Sequence, residues 1–214
     1  MPNWCTTDYV IDGPKEEIID LHKKLTDWSK KESLENGFGK AWLGNIVYYA
    51  GLKRSDEDKE NGVNCRGEFM GEFVIEEDDD TIHFGTFTAW GPMPLMWKKI
   101  LEKHAPHCKY YWSAREPGTE FYASNDVEHK YFNEEIIIET FYHEDADMPN
   151  YIKEYFYEDM DNYTVDEMIK ILQKITEDES TSFETLKRKF YEKVEKDTNG
   201  KYVVLINEMK YEDE

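Results

Sequence analysis

Aromatic and cationic side chains in the first half of the chain have the chemistry of a ligand site. Trp4, Trp42 and Trp90 lie at the ends of segments with strand or turn character, and Arg115 lies in a later strand-like segment. Ligand sites combine aromatic walls with a few polar groups, and the planar guanidinium of Arg matches phosphate or carboxylate. We expect these four residues to line a shallow pocket with Arg115 as the anion anchor. The alternative is that the aromatic side chains only close the end of a sheet.

Other reactive side chains form weaker patterns. His104, His107 and Cys108 are close in sequence, but Pro106 bends the chain between the two His and no Cys-x-x-Cys pair supplies further zinc ligands. The sequence contains no Gly-x-Ser-x-Gly nucleophile motif and no Gly-rich phosphate loop. Cys5 is typical of a small apolar core residue. The sequence therefore predicts no metal and no cofactor, and it identifies no catalytic residue.

The charge of the chain is strongly acidic. The 214 residues include 26 Lys and Arg against 47 Asp and Glu, a formal net charge of −21, and residues 134–214 alone hold 23 acidic and 10 basic side chains. This excess disfavours a general nucleic-acid coat protein, which needs cations to neutralise phosphates, and it steers the protein toward basic partners. The predicted contact face consists of Glu154, Glu158, Asp159, Asp161, Asp166 and Glu167.

Hydrophobic periodicity predicts the element order β-α-β-β-α-β for the first part of the chain, with extra strands at either side. The predicted strands are residues 3–11, 43–50, 65–77, 81–90, 109–115, 119–124 and 134–142. Helices are expected after Pro14 and Pro94, and residues 53–64 are expected to be a mobile polar loop. This order is the ferredoxin-like arrangement. We therefore expect an α+β fold, with an antiparallel sheet that carries two helices on one face.

The pattern of predicted elements changes after residue 145, from mainly strands to mainly helices. Thr164-x-x-Glu167 and Thr181-x-x-Glu184 are capping-box patterns before apolar runs, and residues 202–209 have the alternation of a strand. Residues 151–158 fit either a partner strand or a short helix. The sequence therefore predicts two domains, a ferredoxin-like domain at 1–145 and an acidic α-α-β extension at 146–214.

Three segments carry a resemblance to a known family. They are Met1-Pro2-Asn3-Trp4-Cys5, Phe87-Thr88-Ala89-Trp90-Gly91-Pro92, and the hairpin from Tyr111 to Phe121 that contains Arg115-Glu116-Pro117-Gly118. Together they resemble the YubB-like family of phage- and plasmid-borne proteins over residues 1–142. The resemblance implies a ferredoxin-like domain and an origin in a mobile genetic element. The family has no established biochemical activity, so the resemblance implies no mechanism.

Segment composition predicts a cytoplasmic protein. No apolar run reaches 18 residues, the first residues lack the basic and apolar regions of a signal peptide, and the three scattered Cys are typical of free thiols. We expect a non-enzymatic acidic protein that binds a basic or nucleic-acid-binding host protein, as an anti-defence or DNA-mimic inhibitor. One alternative is a small-molecule or nucleotide-binding enzyme with its site near Trp90 and Arg115. The other is a nucleic-acid-binding ferredoxin-like module, although the Lys/Arg-Gly-Phe motif is missing.

Overall fold

The computed structural model describes residues 3–31, 39–75, 80–133, 135–144, 146–156 and 163–212. The chain divides into two units, one formed by Met1–Phe132 with Tyr211–Glu214 and the other by Asn133–Lys210. Its strands are β1 Trp4–Asp12, β2 Gly67–Ile75, β3 Thr81–Ala89, β4 Lys109–Glu116, β5 Phe121–Ser124, β6 Ile136–Tyr142, β7 Tyr202–Glu208 and β8 Lys210–Tyr211. Its helices are α1 Lys15–Lys30, α2 Leu43–Tyr49, α3 Pro94–His104, α4 Asn150–Phe156, α5 Val165–Thr176 and α6 Phe183–Thr198. The α+β class predicted from the sequence is confirmed.

The first unit contains a six-stranded sheet in the order β2-β3-β1-β4-β5-β8. Strand β1 is central, and it pairs antiparallel with both β3 and β4. Side chains of a strand alternate between its two faces, and the odd-numbered residues of β1 face the helices. Tyr9 shows this arrangement, because its ring contacts Trp97 of α3 with centroids 5.6 Å apart and its hydroxyl accepts a hydrogen bond from the Met93 N–H at 3.2 Å.

Residues 43–50, for which the sequence analysis predicts a strand, form a helix instead. Helix α2 spans Leu43–Tyr49, and Leu43, Ile46, Val47 and Ala50 are all buried. Their spacing of i, i+3, i+4 and i+7 is that of one helical face. The β-branched and aromatic residues of this segment favour a strand locally, but packing against the core overrides that preference. Among its described residues, the first unit therefore has three α-helices where the sequence predicts two.

The second unit pairs β6 with β7 in a separate two-stranded antiparallel sheet. One face of this sheet packs with α4, α5 and α6 into a core whose members include Ile138, Leu172 and Phe190. The described part of residues 151–158 is the short helix α4 rather than a partner strand. The predicted domain boundary at 145 and the observed division at 132 differ, because the strand predicted at 134–142 pairs with β7.

No helix in the described part of the chain combines the length and the apolar composition that crossing a bilayer requires.

The loop after β5 is held by one buried carboxylate. Asp126 is fully buried, and its Oδ2 accepts hydrogen bonds from the backbone N–H groups of Tyr131 at 2.6 Å and Phe132 at 2.8 Å. Its Oδ1 accepts from the Lys130 N–H at 3.0 Å. The Lys130 ammonium reaches back to Asp12 of β1 and lies 4.9 Å from the centre of the Tyr131 ring. A single side chain thus fixes the turn that ends the first segment of this unit.

We expect Asp126→Ala to lower the free energy of unfolding of the first unit by about 2–3 kcal/mol, because backbone donors lose their acceptor. All six Trp belong to the first unit, so Trp fluorescence during urea denaturation follows this unit alone. Glu128→Ala is the matched control, since Glu128 is exposed in the same loop. A loss no larger than that of the control would contradict a structural role for the Asp126 carboxylate.

Candidate functional site

A cleft of about 900 Å³ lies in the first unit, where β1 and β2 begin and β3 ends. Its wall combines aromatic, guanidinium and amide groups. The residues that line it include Trp4, Trp42, Arg54, Asn64, Arg66 and Phe87.

Two stacked aromatic rings form one side of the cleft. In the register of the sheet, Trp4 pairs with Ala89 and Phe87 pairs with Thr6, so Trp4 and Phe87 lie on the same face, opposite to the helices. Their ring centroids are 4.9 Å apart and their planes differ by 12°. Trp4 is nevertheless 43% exposed. Phe87 therefore supports one face of the indole, while much of the rest of the ring is open to solvent.

A cation packed on a third ring forms another part of the wall. The guanidinium carbon of Arg54 lies 5.3 Å from the centre of the Trp42 ring, which suits a cation–π contact. The same guanidinium pairs with Asp56 at 3.1 Å and with Glu57 at 3.6 Å. The charge of Arg54 is thus balanced within the wall, and this residue builds the cleft more than it attracts an anion.

The loop that presents Arg54 is closed by backbone hydrogen bonds. The Val63 N–H donates to the Lys53 carbonyl and the Ser55 N–H donates to the Val63 carbonyl, both at 2.9 Å. The Asp58 carboxylate accepts from the Asn61 N–H at 3.0 Å, and this bond helps to hold the pKa of Asp58 below its usual range. The segment for which the sequence analysis expects a mobile loop is therefore a hydrogen-bonded element of the site.

The second positive group of the cleft is Arg66, and the exposed carboxylate of Glu68 lines the same wall. The Arg66 side chain is exposed and makes no ion pair with any residue that the structure describes. Its carbonyl accepts the Ala89 N–H at 2.9 Å, which fixes the backbone of Arg66 beside the end of β3. A guanidinium in this position can bind a carboxylate or phosphate with two parallel hydrogen bonds.

The structure brings together two of the four residues predicted for this site. Trp4 and Trp42 line the cleft. Trp90 follows the cleft residue Ala89, is 58% exposed and has a left-handed backbone with φ 75°, which costs energy in a bulky residue.

The predicted anion anchor, Arg115, has another environment. It lies on β4 opposite Thr6, half-buried, with β1 between it and the strand of Phe87. Desolvation raises the pKa of the neighbouring Asp8, and the charge of Arg115 partly offsets the rise. The structure therefore assigns the positive charge of the cleft to Arg54 and Arg66. Both were missed in the sequence because they follow from loop geometry, and no motif marks them.

The predicted acidic face is described only in part. Glu158, Asp159 and Asp161 lie outside the described residues. Glu154 is exposed on α4, and Asp166 and Glu167 are exposed in the first turn of α5. Glu167 also closes the capping box of that helix by accepting a hydrogen bond from the Thr164 N–H at 3.0 Å, which holds the pKa of Glu167 below its usual range.

The His and Cys side chains near the end of α3 do not converge. His104 Nε2 contacts the Ala50 carbonyl at 2.9 Å, whereas His107 Nδ1 contacts Glu17 at 2.5 Å. Among the described residues, no group of three or more His, Cys, Asp or Glu side chains is arranged to hold a metal ion. Burial raises the pKa of the Cys108 thiol to about 11, and Glu17 and Asp12 add to the rise.

No family model matches the chain, and comparison with curated proteins and with solved structures finds no similar protein. The residues of the cleft and the charge of the chain are therefore the features that bear on function.

We expect Cys108 to react slowly with iodoacetamide in the folded protein at pH 7.5. A rise in thiol pKa from 9.0 to about 11 reduces the reactive thiolate about a hundredfold, and the rate should increase as the pH approaches 11. Mass spectrometry of the Cys108 peptide measures the rate, with the chain unfolded in urea as the control. Equal rates in the folded and unfolded chains at pH 7.5 would contradict the raised pKa.

Proposed function

We propose that the protein is a non-enzymatic binding protein whose first unit takes a small ligand with a flat apolar group and an anionic group. One observation carries the proposal. The Trp4 indole is supported by Phe87 yet 43% exposed, and it shares its cleft with Arg66, whose guanidinium forms no ion pair with any described residue.

The exposed indole of Trp4 and the exposed guanidinium of Arg66 are two groups in one cleft that a ligand could contact. Covering the open face of Trp4 with a flat apolar group would remove apolar surface from water and add ring stacking. An anionic group on the same ligand would give Arg66 the charge-assisted hydrogen bonds that it lacks. The cleft volume of about 900 Å³ lies in the range typical of small-molecule sites.

The chemistry of these side chains supports binding more than catalysis. Indole, phenyl and guanidinium groups are neither nucleophiles nor general bases at neutral pH. The carboxylate of Asp56, which also lines the cleft, is paired with Arg54. A small-molecule or nucleotide-binding enzyme would have to use the remaining reactive groups of the wall, the exposed Glu68 carboxylate and the buried Cys65 thiol.

The fold part of the proposal is that the first unit is ferredoxin-like, with a YubB-like, mobile-element origin. The order β2-β3-β1-β4, with α1 between β1 and β2 and α3 between β3 and β4, supports the ferredoxin-like assignment. Helix α2 and the strands β5 and β8 are additions to that plan. The origin rests only on the sequence resemblance.

Isothermal titration calorimetry with naphthalene-2-sulfonate, a flat ring with one negative charge, tests the cleft. We expect binding that Trp4→Leu weakens about tenfold, because Leu keeps the apolar contact with Phe87 but loses the flat face. Arg66→Ala should weaken binding by a similar factor because it removes the anion partner.

The matched control is Arg188→Ala, which removes an exposed Arg of the second unit with the same change in net charge. If Arg66→Ala and Arg188→Ala weaken binding equally, the loss of affinity is caused by the change in net charge and not by loss of a contact with Arg66. No binding of any flat anion by the unmodified protein would refute the ligand site.

The acidic surface supports a second candidate function, a DNA-mimic inhibitor of a basic or nucleic-acid-binding protein. Several Lys side chains of the second unit are paired with acids, as in Lys187–Glu208 and Lys193–Asp197. Glu154 and Asp166 are exposed, and no ion pair within the described residues involves them. The net charge of −21 favours association with a cationic groove.

Purified basic DNA-binding proteins captured on the immobilised protein test this candidate. We expect duplex DNA to displace a captured protein at constant ionic strength, whereas polyglutamate of equal charge should displace it poorly. Glu154→Gln with Asp166→Asn should weaken capture more than the charge-matched control Glu102→Gln with Glu128→Gln in the first unit. Equal displacement by both polyanions would indicate general charge attraction instead of mimicry.

A further inference from the structure

We infer that the ligand of the cleft is a nucleoside monophosphate unit, with its base stacked on Trp4 and its phosphate bound to Arg66. The inference rests on the proposed function and narrows the class of ligand. A free nucleotide and the terminal nucleotide of a single strand share this chemistry.

The stacking geometry suits a nucleobase. Trp4 and Phe87 are nearly parallel, with planes 12° apart, so a third flat ring on the open side of Trp4 would continue the stack. Every nucleobase offers a wide π face, and proteins hold unstacked bases on aromatic side chains placed on the open face of a sheet. Trp4 and Phe87 occupy such positions, on the two neighbouring strands β1 and β3.

Polar groups at the same cleft suit the edge of a base and a ribose. The Ser55 hydroxyl donates to Asn64 Oδ1 at 2.9 Å, which orients the Asn64 amide so that its N–H₂ group is left for an acceptor. Base edges carry such acceptors. Asp56 uses Oδ1 for Arg54 and is largely exposed, so its other oxygen can accept a ribose hydroxyl.

The balance of charge limits the ligand to one phosphate. Arg54 is paired with Asp56 and Glu57, which leaves Arg66 as the cation for a ligand, while the exposed Glu68 carboxylate adds negative charge to the same cleft. The chain as a whole carries a formal charge of −21. Each further phosphate would meet repulsion from this field without gaining another cation. The cleft therefore favours a monophosphate over a triphosphate.

Calorimetric titrations with adenosine, adenosine 5′-monophosphate and adenosine 5′-triphosphate at constant ionic strength test the inference. We expect the monophosphate to bind about tenfold more tightly than adenosine, because one charge-assisted contact with Arg66 is added. The triphosphate should bind no more tightly than the monophosphate.

Two variants separate the base from the phosphate. Arg66→Ala should abolish the preference for the monophosphate over adenosine. Trp4→Leu should weaken both ligands about tenfold. The control Arg188→Ala should keep the preference. A monophosphate preference that survives Arg66→Ala would overturn the phosphate assignment.

A further titration distinguishes a free nucleotide from the end of a single strand, and comparison with naphthalene-2-sulfonate distinguishes failure of this inference from failure of the proposed function. A single-stranded oligonucleotide with a 5′-phosphate that binds more tightly than the monophosphate supports a strand end, and equal or weaker binding supports a free nucleotide. If naphthalene-2-sulfonate binds in a Trp4-dependent manner but no adenosine compound binds, this inference fails while the proposed function stands. If neither binds, both fail.

Discussion

The position of β1 at the centre of its sheet constrains the rest of the first unit. Its odd-numbered residues, including Cys5, Tyr9 and Ile11, are buried beneath the helices, whereas Trp4 lies on the other face. A shift of one residue in the register would exchange the two faces and send the buried set into solvent. Pairing on both sides prevents such a shift, so the same constraint that builds the core also fixes Trp4 against Phe87.

Much of this architecture could be predicted from the sequence, because period-2 alternation and helix-start signals are local. The strands β1 to β5, the helix after Pro14 and the capping box at Thr164 all have such signals. Helix α2 is not recognised from the sequence, because its β-branched and aromatic residues favour a strand. Its helical face becomes evident only from which of its residues are buried in the structure. The division of the chain was likewise hidden, because pairing of β6 with β7 is a contact between residues about 65 positions apart.

Some residues of the site could likewise be predicted from local sequence, whereas others depend on contacts between distant residues. Trp4 and Trp42 could be selected from the sequence as rare aromatic residues near segment ends. Arg54 and Arg66 could not, because their positions follow from a loop closed by backbone bonds between Lys53, Ser55 and Val63. No sequence motif distinguishes Arg66 from Arg54. The two differ in the folded chain, where Asp56 and Glu57 form ion pairs with Arg54. The net charge is obvious in the sequence, but it does not show which of the two guanidinium groups forms ion pairs.

The first unit is discontinuous along the chain, and this affects how it can form during synthesis. Glu212 donates its N–H to the Ser124 carbonyl at 2.9 Å, and the Tyr211 ring lies 4.4 Å from that of His129. These contacts require residues made only after the whole of Asn133–Lys210. During synthesis on the ribosome, β5 therefore remains an unpaired sheet edge until the 78 residues of the second unit have been made. At about 5–20 residues per second, synthesis of that segment leaves the β5 edge unpaired for about 4–16 seconds.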